Sequence, residues 1–339
     1  MSEERIAVLA RRVLAGEELS REEGAELAGL GPEDLPYLFA WASRIRVRYC
    51  GSKVRCCSII AAKVGGCSED CAFCSQSAHF RTPTRGITIV ETDRVLAASR
   101  SAAENGADSF CIVNSGYGPR DSEIERLAGT FGQIRREGRV RACASLGVLT
   151  EEQARRLAEL GVQRYNHNLQ TSRRFFPNII TTHGYDERLA TIRAAKMAGL
   201  SLCSGALFGM GETWEDRIDL ALELRRLDVD VVPINFLHPI PGTPLQDAAP
   251  LPPMTCLHVI AVYRFLLPRS EIKIAGGREV NLRDLQSWIF LAGANSFLIG
   301  NYLTTCGRAP EQDLQMVRDL GLELDGQHVP PQPAVAAHA

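Results

Sequence analysis

The chain has 339 residues, of which 45% are hydrophobic and 23% are charged, so it is long and apolar enough to bury a large core. Its formal net charge of −2 and its lack of long basic runs argue against a nucleic-acid partner and favour small-molecule substrates. No segment approaches the roughly eighteen apolar residues of a membrane span. Eleven cysteines, an odd number, and an N-terminus without a sustained apolar segment predict a reducing, cytoplasmic location.

In chain order, a helical segment at residues 1–45 is followed by short apolar runs that alternate with amphipathic helical stretches. This alternation is typical of βα units around a parallel sheet. The predicted strands are residues 57–64, 109–113, 140–146, 164–169, 201–207, 231–236, 271–277 and 296–300. We therefore predict an α/β fold, a (β/α)8 TIM-type barrel over residues 46–324, with an N-terminal helical extension (1–45) and a disordered C-terminal tail (325–339).

The first predicted strand is followed by the run CSEDCAFC, which places Cys67, Cys71 and Cys74 on one short loop. Three thiolates at this spacing hold a 4Fe-4S cluster and leave one iron open to a cofactor, whereas a fully ligated cluster has four ligands. The alternative is a structural zinc site, but such sites add a second Cys or His pair, which the neighbouring sequence lacks. The spacing therefore favours a cluster that takes part in chemistry.

Alternate residues of a strand point to opposite faces, so one parity of every barrel strand points inward. Polar residues share that parity on seven strands, where barrels usually carry branched aliphatic side chains. The inward sets are Cys57, Ile59, Ala61 and Lys63; Ser109, Cys111 and Val113; Arg141, Cys143 and Ser145; Asn166 and Asn168; Cys203 and Gly205; Pro233 and Asn235; and Lys273 and Ala275. A single buried cysteine is often a core residue, but several that converge predict a lumen that holds metal and polar ligands.

The motifs around these residues are CSEDCAFCSQS, YNHNLQTS, NIITTHGYDERL, CSGALFGMGET, PINFLHPIPGTPL and AGGREVN. Their order, over about residues 36–322, resembles the biotin synthase family of radical S-adenosylmethionine (SAM) enzymes. The resemblance implies a TIM-type barrel in which the open iron of the loop cluster chelates SAM. It also implies radical sulfur insertion into dethiobiotin to give biotin, a reductase as electron donor, and a homodimer.

The same resemblance implies an auxiliary 2Fe-2S cluster inside the barrel, which supplies the inserted sulfur. Its cysteine ligands in this sequence would be Cys111, Cys143 and Cys203. The arginine that completes the ligand set in the family is Lys273 here, and a neighbouring family arginine is Ser109. A lysine ammonium cannot ligate iron unless it loses its proton, so this exchange is not conservative.

Cys57 adds an inward thiol to the same lumen. We therefore expect a larger, thiolate-rich auxiliary cluster in which Cys57 joins Cys143 and Cys203, with Lys273 as a bystander or second-layer donor. The alternative is that Cys57 is a buried core thiol and that Cys111, Cys143 and Cys203 hold an ordinary 2Fe-2S cluster, with lysine or sulfide at the fourth site. The role of Cys50 is left open, while Cys56, Cys256 and Cys306 are expected to be structural.

The resemblance also assigns ligand contacts. The predicted SAM contacts are Phe73, Asn168, Gln170, Gly209, Gly211 and Glu212. Gln170 stands where the family usually has a carboxylate on the SAM ribose. The predicted substrate contacts are Asn166 and Asn235, because an amide offers both a donor and an acceptor to the urea of dethiobiotin. No catalytic residue is expected beyond the cluster ligands, and His167, of opposite parity, is expected to pack.

Two other functions fit part of the sequence. A related radical SAM enzyme of the hydrogenase-cofactor-maturase type, without sulfur insertion, would keep the three-cysteine loop and the barrel. It would not be expected to keep the inner cysteines together with YNHN and PIN. A non-catalytic iron-sulfur or zinc protein would keep the metal ligands but has no use for the asparagines and the GMGET segment. The sequence therefore favours the sulfur-inserting enzyme.

Overall fold

The computed structural model describes residues 3–84 and 86–325. Its strands are β1 (Lys53–Val64), β2 (Thr88–Ile89), β3 (Ser109–Asn114), β4 (Arg141–Ser145), β5 (Arg164–Asn166), β6 (Ser201–Cys203), β7 (Ala206–Phe208), β8 (Val231–Phe236), β9 (Glu271–Ile274), β10 (Ser296–Leu298) and β11 (Glu323–Leu324). The parallel sheet runs β1, β3, β4, β5, β6, β8, β9, β10, and β10 pairs with β1, so the sheet closes into an eight-stranded barrel. The predicted barrel is confirmed, and every predicted strand overlaps an observed one.

The fifth barrel strand is interrupted. β6 pairs with β5 and β8, and after a short break β7 continues along β8. Gly205 lies in the break, where an added Cβ would stand 2.0 Å from the carbonyl oxygen of Pro233, so only glycine fits this close approach. Two short strands lie outside the barrel, with β2 antiparallel to the end of β1 and β11 parallel to its start.

Helices surround the barrel. They are α1 (Glu3–Leu14), α2 (Arg21–Ala28), α3 (Leu35–Cys50), α4 (Thr92–Glu104), α5 (Asp121–Glu137), α6 (Glu151–Glu159), α7 (Tyr185–Met197), α8 (Trp214–Arg226), α9 (Pro253–Leu266), α10 (Arg278–Leu282) and α11 (Pro310–Asp319), with 3-10 turns at Phe176–Asn178 and Arg283–Ile289. Capping boxes begin α2 at Ser20, α6 at Thr150 and α8 at Thr213, where a hydroxyl satisfies a free backbone N–H.

The N-terminal helices pack directly on the barrel. α3 contacts α9, and α2 contacts both α8 and α9, so α9 is buried along most of its length. Within α9, the His258 ring meets the Leu27 carbonyl oxygen at 2.7 Å, and Cys256 is fully buried. α3 continues through Cys50, past the predicted boundary at residue 45. Apart from Asp325, the predicted tail lies outside the described residues.

Candidate active site

The three-cysteine loop leaves the carboxyl end of β1 through two glycines. Gly65 and Gly66 have φ of +77° and +60°, and a Cβ on Gly65 would lie 2.0 Å from the Gly86 carbonyl oxygen. Within the loop, the Cys74 amide donates to the Cys71 carbonyl at 2.9 Å, and the Cys67 amide donates to the Gln76 carbonyl at 3.0 Å. All three thiols are free. The backbone therefore presents three thiols from one compact turn.

Asp70 attaches this loop to the segment before α7. Its carboxylate accepts hydrogen bonds from the backbone amides of Thr181 at 2.9 Å and Thr182 at 3.2 Å. Burial alone would raise the pKa of Asp70, but these hydrogen bonds outweigh it and lower that pKa to about 2. Asp70 is therefore ionised at neutral pH and holds the residue next to Cys71 in place.

Glu69 ties the loop more deeply to β5 and α7. Its carboxylate lies 2.5 Å from Nδ1 of His183, and Nε of Arg188 donates to Nε2 of His183 at 3.0 Å. Because an arginine can only donate, Nε2 of His183 must accept, and its proton is on Nδ1 facing Glu69. Burial lowers the pKa of His183, which agrees with this neutral tautomer. Arg188 also donates to the Asn168 carbonyl at 2.6 Å, so one chain of bonds links the cysteine loop to the YNHN segment.

Two adjoining cavities open at the carboxyl ends of the strands. The lumen cavity, of about 300 Å³, is lined by residues that include Cys57, Cys67, Cys71, Asn166, Cys203 and Lys273. The rim cavity, of about 260 Å³, is lined by residues that include Phe73, Cys74, Leu207 and Tyr302. Asn168, Gln170 and Asn235 line both. The cysteine loop thus stands between the two cavities, with Cys67 and Cys71 at one and Cys74 at the other.

The three predicted asparagine contacts differ in how much hydrogen-bonding capacity they keep. Asn235 is engaged at both ends, since its Nδ2 donates to the Ala206 carbonyl at 3.0 Å and its Oδ1 accepts from the Gly276 amide at 2.9 Å. Asn168 accepts from the Gly205 amide at 3.1 Å. Asn166 donates to the sulfur of Cys111 at 3.4 Å, while its Oδ1 is buried without a partner. Of the three asparagines, Asn166 is therefore the one with a buried oxygen that a bound ligand could satisfy.

In the part of the chain that the structure describes, no residue of the GMGET segment (209–213) lines the lumen cavity or the rim cavity. Gly209 and Gly211 have φ of +99° and +101°, so the loop depends on glycine there. The Glu212 carboxylate accepts from the Gly209 amide at 3.0 Å and from Arg217 at 2.7 Å. Glu212 therefore shapes its own loop, and its predicted contact with SAM stays a prediction. Leu207, which the sequence analysis did not single out, lines the rim cavity.

The inner cysteines meet deep in the barrel. Cys111 and Cys143 are direct partners across β3 and β4, and Asn166 is the partner of Cys203 across β5 and β6. Cys57, Cys111, Cys143 and Cys203 are all buried, and they lie close enough together for Cys57 and Cys203 to raise the pKa values of Cys111 and Cys143. Burial raises the pKa of the Cys143 thiol to about 12, so binding of a metal group there must displace the proton. The convergence predicted from strand parity is present.

Lys273 lies among these thiols and is 3% exposed. Burial would lower its pKa, but the nearby Cys203, Cys57 and Glu271 side chains outweigh that and raise it. A raised pKa favours the ammonium form, which suits a counter-charge better than an iron ligand. The Ser109 hydroxyl donates to Asp108 at 3.0 Å. Across residues 3–84 and 86–325, no three His, Cys, Asp or Glu side chains are placed to hold a single metal ion.

His167 and Arg164 add two groups to the predicted set. The His167 side chain lines the lumen cavity with its Nε2 buried and unpartnered, and burial lowers its pKa well below 6.5, so the ring is neutral. Arg164 has the same parity as Asn166, is 4% exposed, and has Nε and Nη1 without partners. The parity rule could have identified Arg164, which the sequence analysis did not name.

Comparison with known proteins identifies the family. Residues 63–224 match the Radical SAM superfamily, and residues 233–323 match the Biotin and Thiamin Synthesis associated domain. A biotin synthase of Heliobacterium modesticaldum is 50% identical over 313 residues, which cover 92% of this chain and 96% of that protein. The chain belongs to the biotin synthase family. A biotin synthase of Geobacter sulfurreducens is also 50% identical, over 93% of this chain and 96% of its own length.

Two solved structures share the fold of this chain. Methylornithine synthase superposes with a TM-score of 0.81 at 19% identity, over 93% of this chain and 97% of that chain. The FeFe-hydrogenase maturase of Carboxydothermus hydrogenoformans superposes with a TM-score of 0.80 at 18% identity, over 94% and 79%. At these identities the likeness concerns the fold alone, so the maturase alternative is not favoured over the biotin synthase family. Among the described residues, no helix is long and apolar enough to span a membrane.

Proposed function

We propose that this protein converts dethiobiotin to biotin by radical sulfur insertion, using SAM, a 4Fe-4S cluster on the loop and an auxiliary iron-sulfur cluster in the lumen. The observation that carries the proposal is the position of the cysteine loop between two adjoining cavities, one of which has further thiols at its base. When bound and reduced, the loop cluster supplies the cleavage of SAM to methionine and a 5′-deoxyadenosyl radical. The chain supplies binding, orientation and exclusion of water.

The donor set of the loop fits a 4Fe-4S cluster with one open iron. Cys67, Cys71 and Cys74 are free thiols on one turn. Burial raises the pKa of Cys71 to about 12, although the nearby Arg188 charge opposes that shift. The buried Arg188 therefore favours the deprotonated sulfur that binding requires. Glu69 and Asp70 hold the loop between these ligands against the rest of the barrel.

The rim cavity fits SAM. Phe73 and Leu207 offer apolar walls for an adenine ring, and Asn168 and Gln170 offer amides for the ribose hydroxyls. Cys74 lines the same cavity, so a ligand there lies against the cluster loop. Because Asn168 and Gln170 also line the lumen cavity, the reactive end of the ligand would face the substrate space.

The lumen cavity fits the urea of dethiobiotin. The buried, unpartnered Oδ1 of Asn166 can accept from a urea N–H, which would satisfy an atom that is otherwise costly to bury. Asn235 retains one lone pair and one N–H beyond its two backbone bonds, so it can contribute one further bond of each kind. Recognition of the dethiobiotin urea therefore depends more directly on Asn166 than on Asn235.

We also propose that the auxiliary cluster is thiolate-rich, with Cys57 joining Cys143 and Cys203 and with Lys273 as a bystander cation. The support is that Cys57 lines the lumen cavity and lies close enough to Cys111, Cys143 and Lys273 to contribute to the raised pKa of each. Mössbauer spectra with iron and sulfide counts on wild type and Cys57→Ser test this. An auxiliary 2Fe-2S signal in wild type that is unchanged in the variant would restore the ordinary cluster of the family. A homodimer, a separate reductase and a cytoplasmic location are proposed from family membership.

One assay tests the proposed function as a whole. Anaerobically reconstituted protein is incubated with SAM, a low-potential reductant and dethiobiotin, and biotin, methionine and 5′-deoxyadenosine are quantified. Two C–H bonds must become C–S bonds, so we expect two 5′-deoxyadenosine molecules for each biotin. 5′-Deoxyadenosine without biotin would indicate a radical SAM enzyme that does not insert sulfur. The absence of both products would indicate a non-catalytic protein.

A further inference from the structure

A third cavity lies under the lumen, at the amino-terminal end of the barrel. This basal cavity has a volume of about 590 Å³. On each of five strands, one residue lines the basal cavity and the residue two positions later lines the lumen cavity. The pairs are Arg55 and Cys57, Arg164 and Asn166, Ser201 and Cys203, Val231 and Pro233, and Glu271 and Lys273. Because alternate strand residues share a face, one layer of inward side chains separates the two cavities.

The carboxylates of the basal cavity are already engaged. Asp228 pairs with Lys196 at 3.1 Å, and Asp230 accepts from the Leu202 amide at 2.7 Å. Glu271 pairs with Arg55 at 3.4 Å. Among the described residues, no carboxylate forms an ion pair with the two other cations of the cavity, Arg164 and Arg269, although Glu271 and Asp108 lie close enough to raise the pKa of Arg164.

Four arginines line the same cavity, and they differ in their partners. Arg55 pairs with Asp325 at 2.9 Å, and Arg141 lies 3.9 Å from Asp108. Arg269 is exposed at the rim, with its guanidinium 5.1 Å from the centre of the Tyr49 ring. Arg164 is 4% exposed, and its Nε and Nη1 have no hydrogen-bond partner. A buried guanidinium with free donors is costly, so this site lacks an acceptor that an anion would supply.

We propose that the basal cavity binds hydrosulfide, with Arg164 as the main donor and Arg269 as the outer cation, and delivers it as replacement sulfur to the auxiliary site above. This inference rests on the proposed function. Arg164 is the direct strand partner of Cys143, so a small anion held by Arg164 lies against the thiol layer. Hydrosulfide, with a single heavy atom, is small enough to cross one layer of side chains, which a larger sulfur carrier is not.

The delivery step balances without a further reactant. Each biotin removes one sulfide from the auxiliary group, and hydrosulfide returns one sulfur in the same −2 oxidation state. In this exchange the H–S bond of hydrosulfide would break, its proton would pass to solvent, and the sulfur would take the position that the inserted sulfur left. The two electrons that the auxiliary irons would gain as the two C–S bonds form would return to the loop cluster for SAM cleavage, so no further oxidant or reductant is needed.

Bromide is a suitable probe for the binding site because it is a small monoanion with an anomalous signal. Crystals of the reconstituted protein soaked in bromide, measured at the bromine absorption edge, should show a peak within hydrogen-bond distance of the Arg164 guanidinium. The peak should be absent in Arg164→Gln and unchanged in Arg126→Gln, which removes an exposed arginine on α5 remote from this cavity. A wild-type basal cavity without bromide would overturn the proposal.

Sulfide dependence tests delivery. With excess SAM and dethiobiotin, Arg269→Gln should need about tenfold more sulfide for half-maximal later turnovers, as expected for loss of a charged donor. Its first-turnover yield, which uses sulfur already loaded, should match wild type. If Arg269→Gln and Arg126→Gln showed the same sulfide dependence, an anion in the basal cavity would be an adventitious ion only, and delivery of hydrosulfide from this cavity would be refuted. No first turnover in wild type would instead count against the proposed function.

Cys50 separates free hydrosulfide from a thiol-bound carrier. Cys50 also lines the basal cavity, with its sulfur 3.9 Å from the Ser270 carbonyl oxygen. Because the proposal delivers sulfur as a free anion, Cys50→Ser should keep the sulfide dependence of wild type. Loss of all later turnovers in Cys50→Ser would show that a persulfide on this thiol is required, which would overturn delivery as hydrosulfide.

Discussion

Replacing Asn166 and Asn235 by leucine, one at a time, distinguishes their roles. Asn166 is expected to bind the substrate, whereas Asn235 also forms hydrogen bonds that stabilise the site. Leucine has nearly the shape of asparagine and no polar atoms. Asn235→Leu removes two backbone hydrogen bonds of 3.0 and 2.9 Å, which together contribute about 1–3 kcal/mol to the free energy of unfolding. Asn166→Leu removes one contact to sulfur at 3.4 Å and also removes an unsatisfied oxygen. We expect its free energy of unfolding to change by less than about 1 kcal/mol.

For dethiobiotin binding, in contrast to stability, we expect Asn166→Leu to have a large effect. If the Asn166 oxygen accepts from the urea, its loss should weaken dethiobiotin binding by about 1–3 kcal/mol, or roughly 5- to 150-fold. SAM affinity should change less. Asn235→Leu, and likewise Asn235→Ala, should weaken binding of dethiobiotin by a similar amount, but together with a loss of stability and some loss of SAM affinity, because its bonds join β7 to the segment after β9.

The assay combines two measurements on each variant under anaerobic conditions. Chemical unfolding of the cluster-free protein gives the free energy of unfolding, and isothermal titration of the reconstituted protein gives the dethiobiotin dissociation constant in the presence of SAM. Wild-type dethiobiotin affinity in Asn166→Leu would refute the assignment of the buried oxygen. A loss of stability in Asn166→Leu as large as in Asn235→Leu would refute the argument from hydrogen-bond counts.

Three further outcomes are expected. Replacement of any loop cysteine by alanine, for example Cys71→Ala, should abolish 5′-deoxyadenosine formation while far-ultraviolet circular dichroism stays native, and wild-type rates would contradict the loop assignment. Gly277→Ala, whose Cβ would lie 1.8 Å from the Phe236 carbonyl oxygen, should cost more than about 1 kcal/mol of stability, whereas the matched control Gly199→Ala, at φ of +75° in open space, should cost less. Burial lowers the pKa of His258 below 6.5, so its contribution to stability is present above that pH and is lost as pH falls. Unfolding free energies measured from about pH 7.5 to 5.5 should therefore fall less in His258→Gln than in wild type.

Much of the site follows from local sequence patterns. The alternation of apolar runs and helices predicts the barrel, and strand parity predicts that Cys57 and Cys203 face one lumen. These inferences succeed because a period of two is a property of the strand itself and needs no knowledge of distant residues. The three-cysteine loop is equally local, since its spacing alone places the thiols on one turn.

Other features depend on contacts between distant parts of the chain. The hydrogen bonds from Glu69 through His183 to Arg188 join the cysteine loop to residues more than a hundred positions away. No periodic pattern in the sequence predicts them. Asn235 looked free from its parity, but its amide is engaged by neighbouring backbone. The basal cavity depends on which arginines meet carboxylates, which is decided by side-chain positions on several strands.

The most direct test of the central claim follows a sulfur atom. The protein is reconstituted with iron and ³⁴S-labelled sulfide, freed of excess sulfide, and allowed one turnover with SAM, reductant and dethiobiotin. Mass spectrometry of the product should then show biotin that carries one ³⁴S atom, because the inserted sulfur is held in the lumen of the barrel before the reaction begins. Unlabelled biotin, or 5′-deoxyadenosine formed without any biotin, would contradict it.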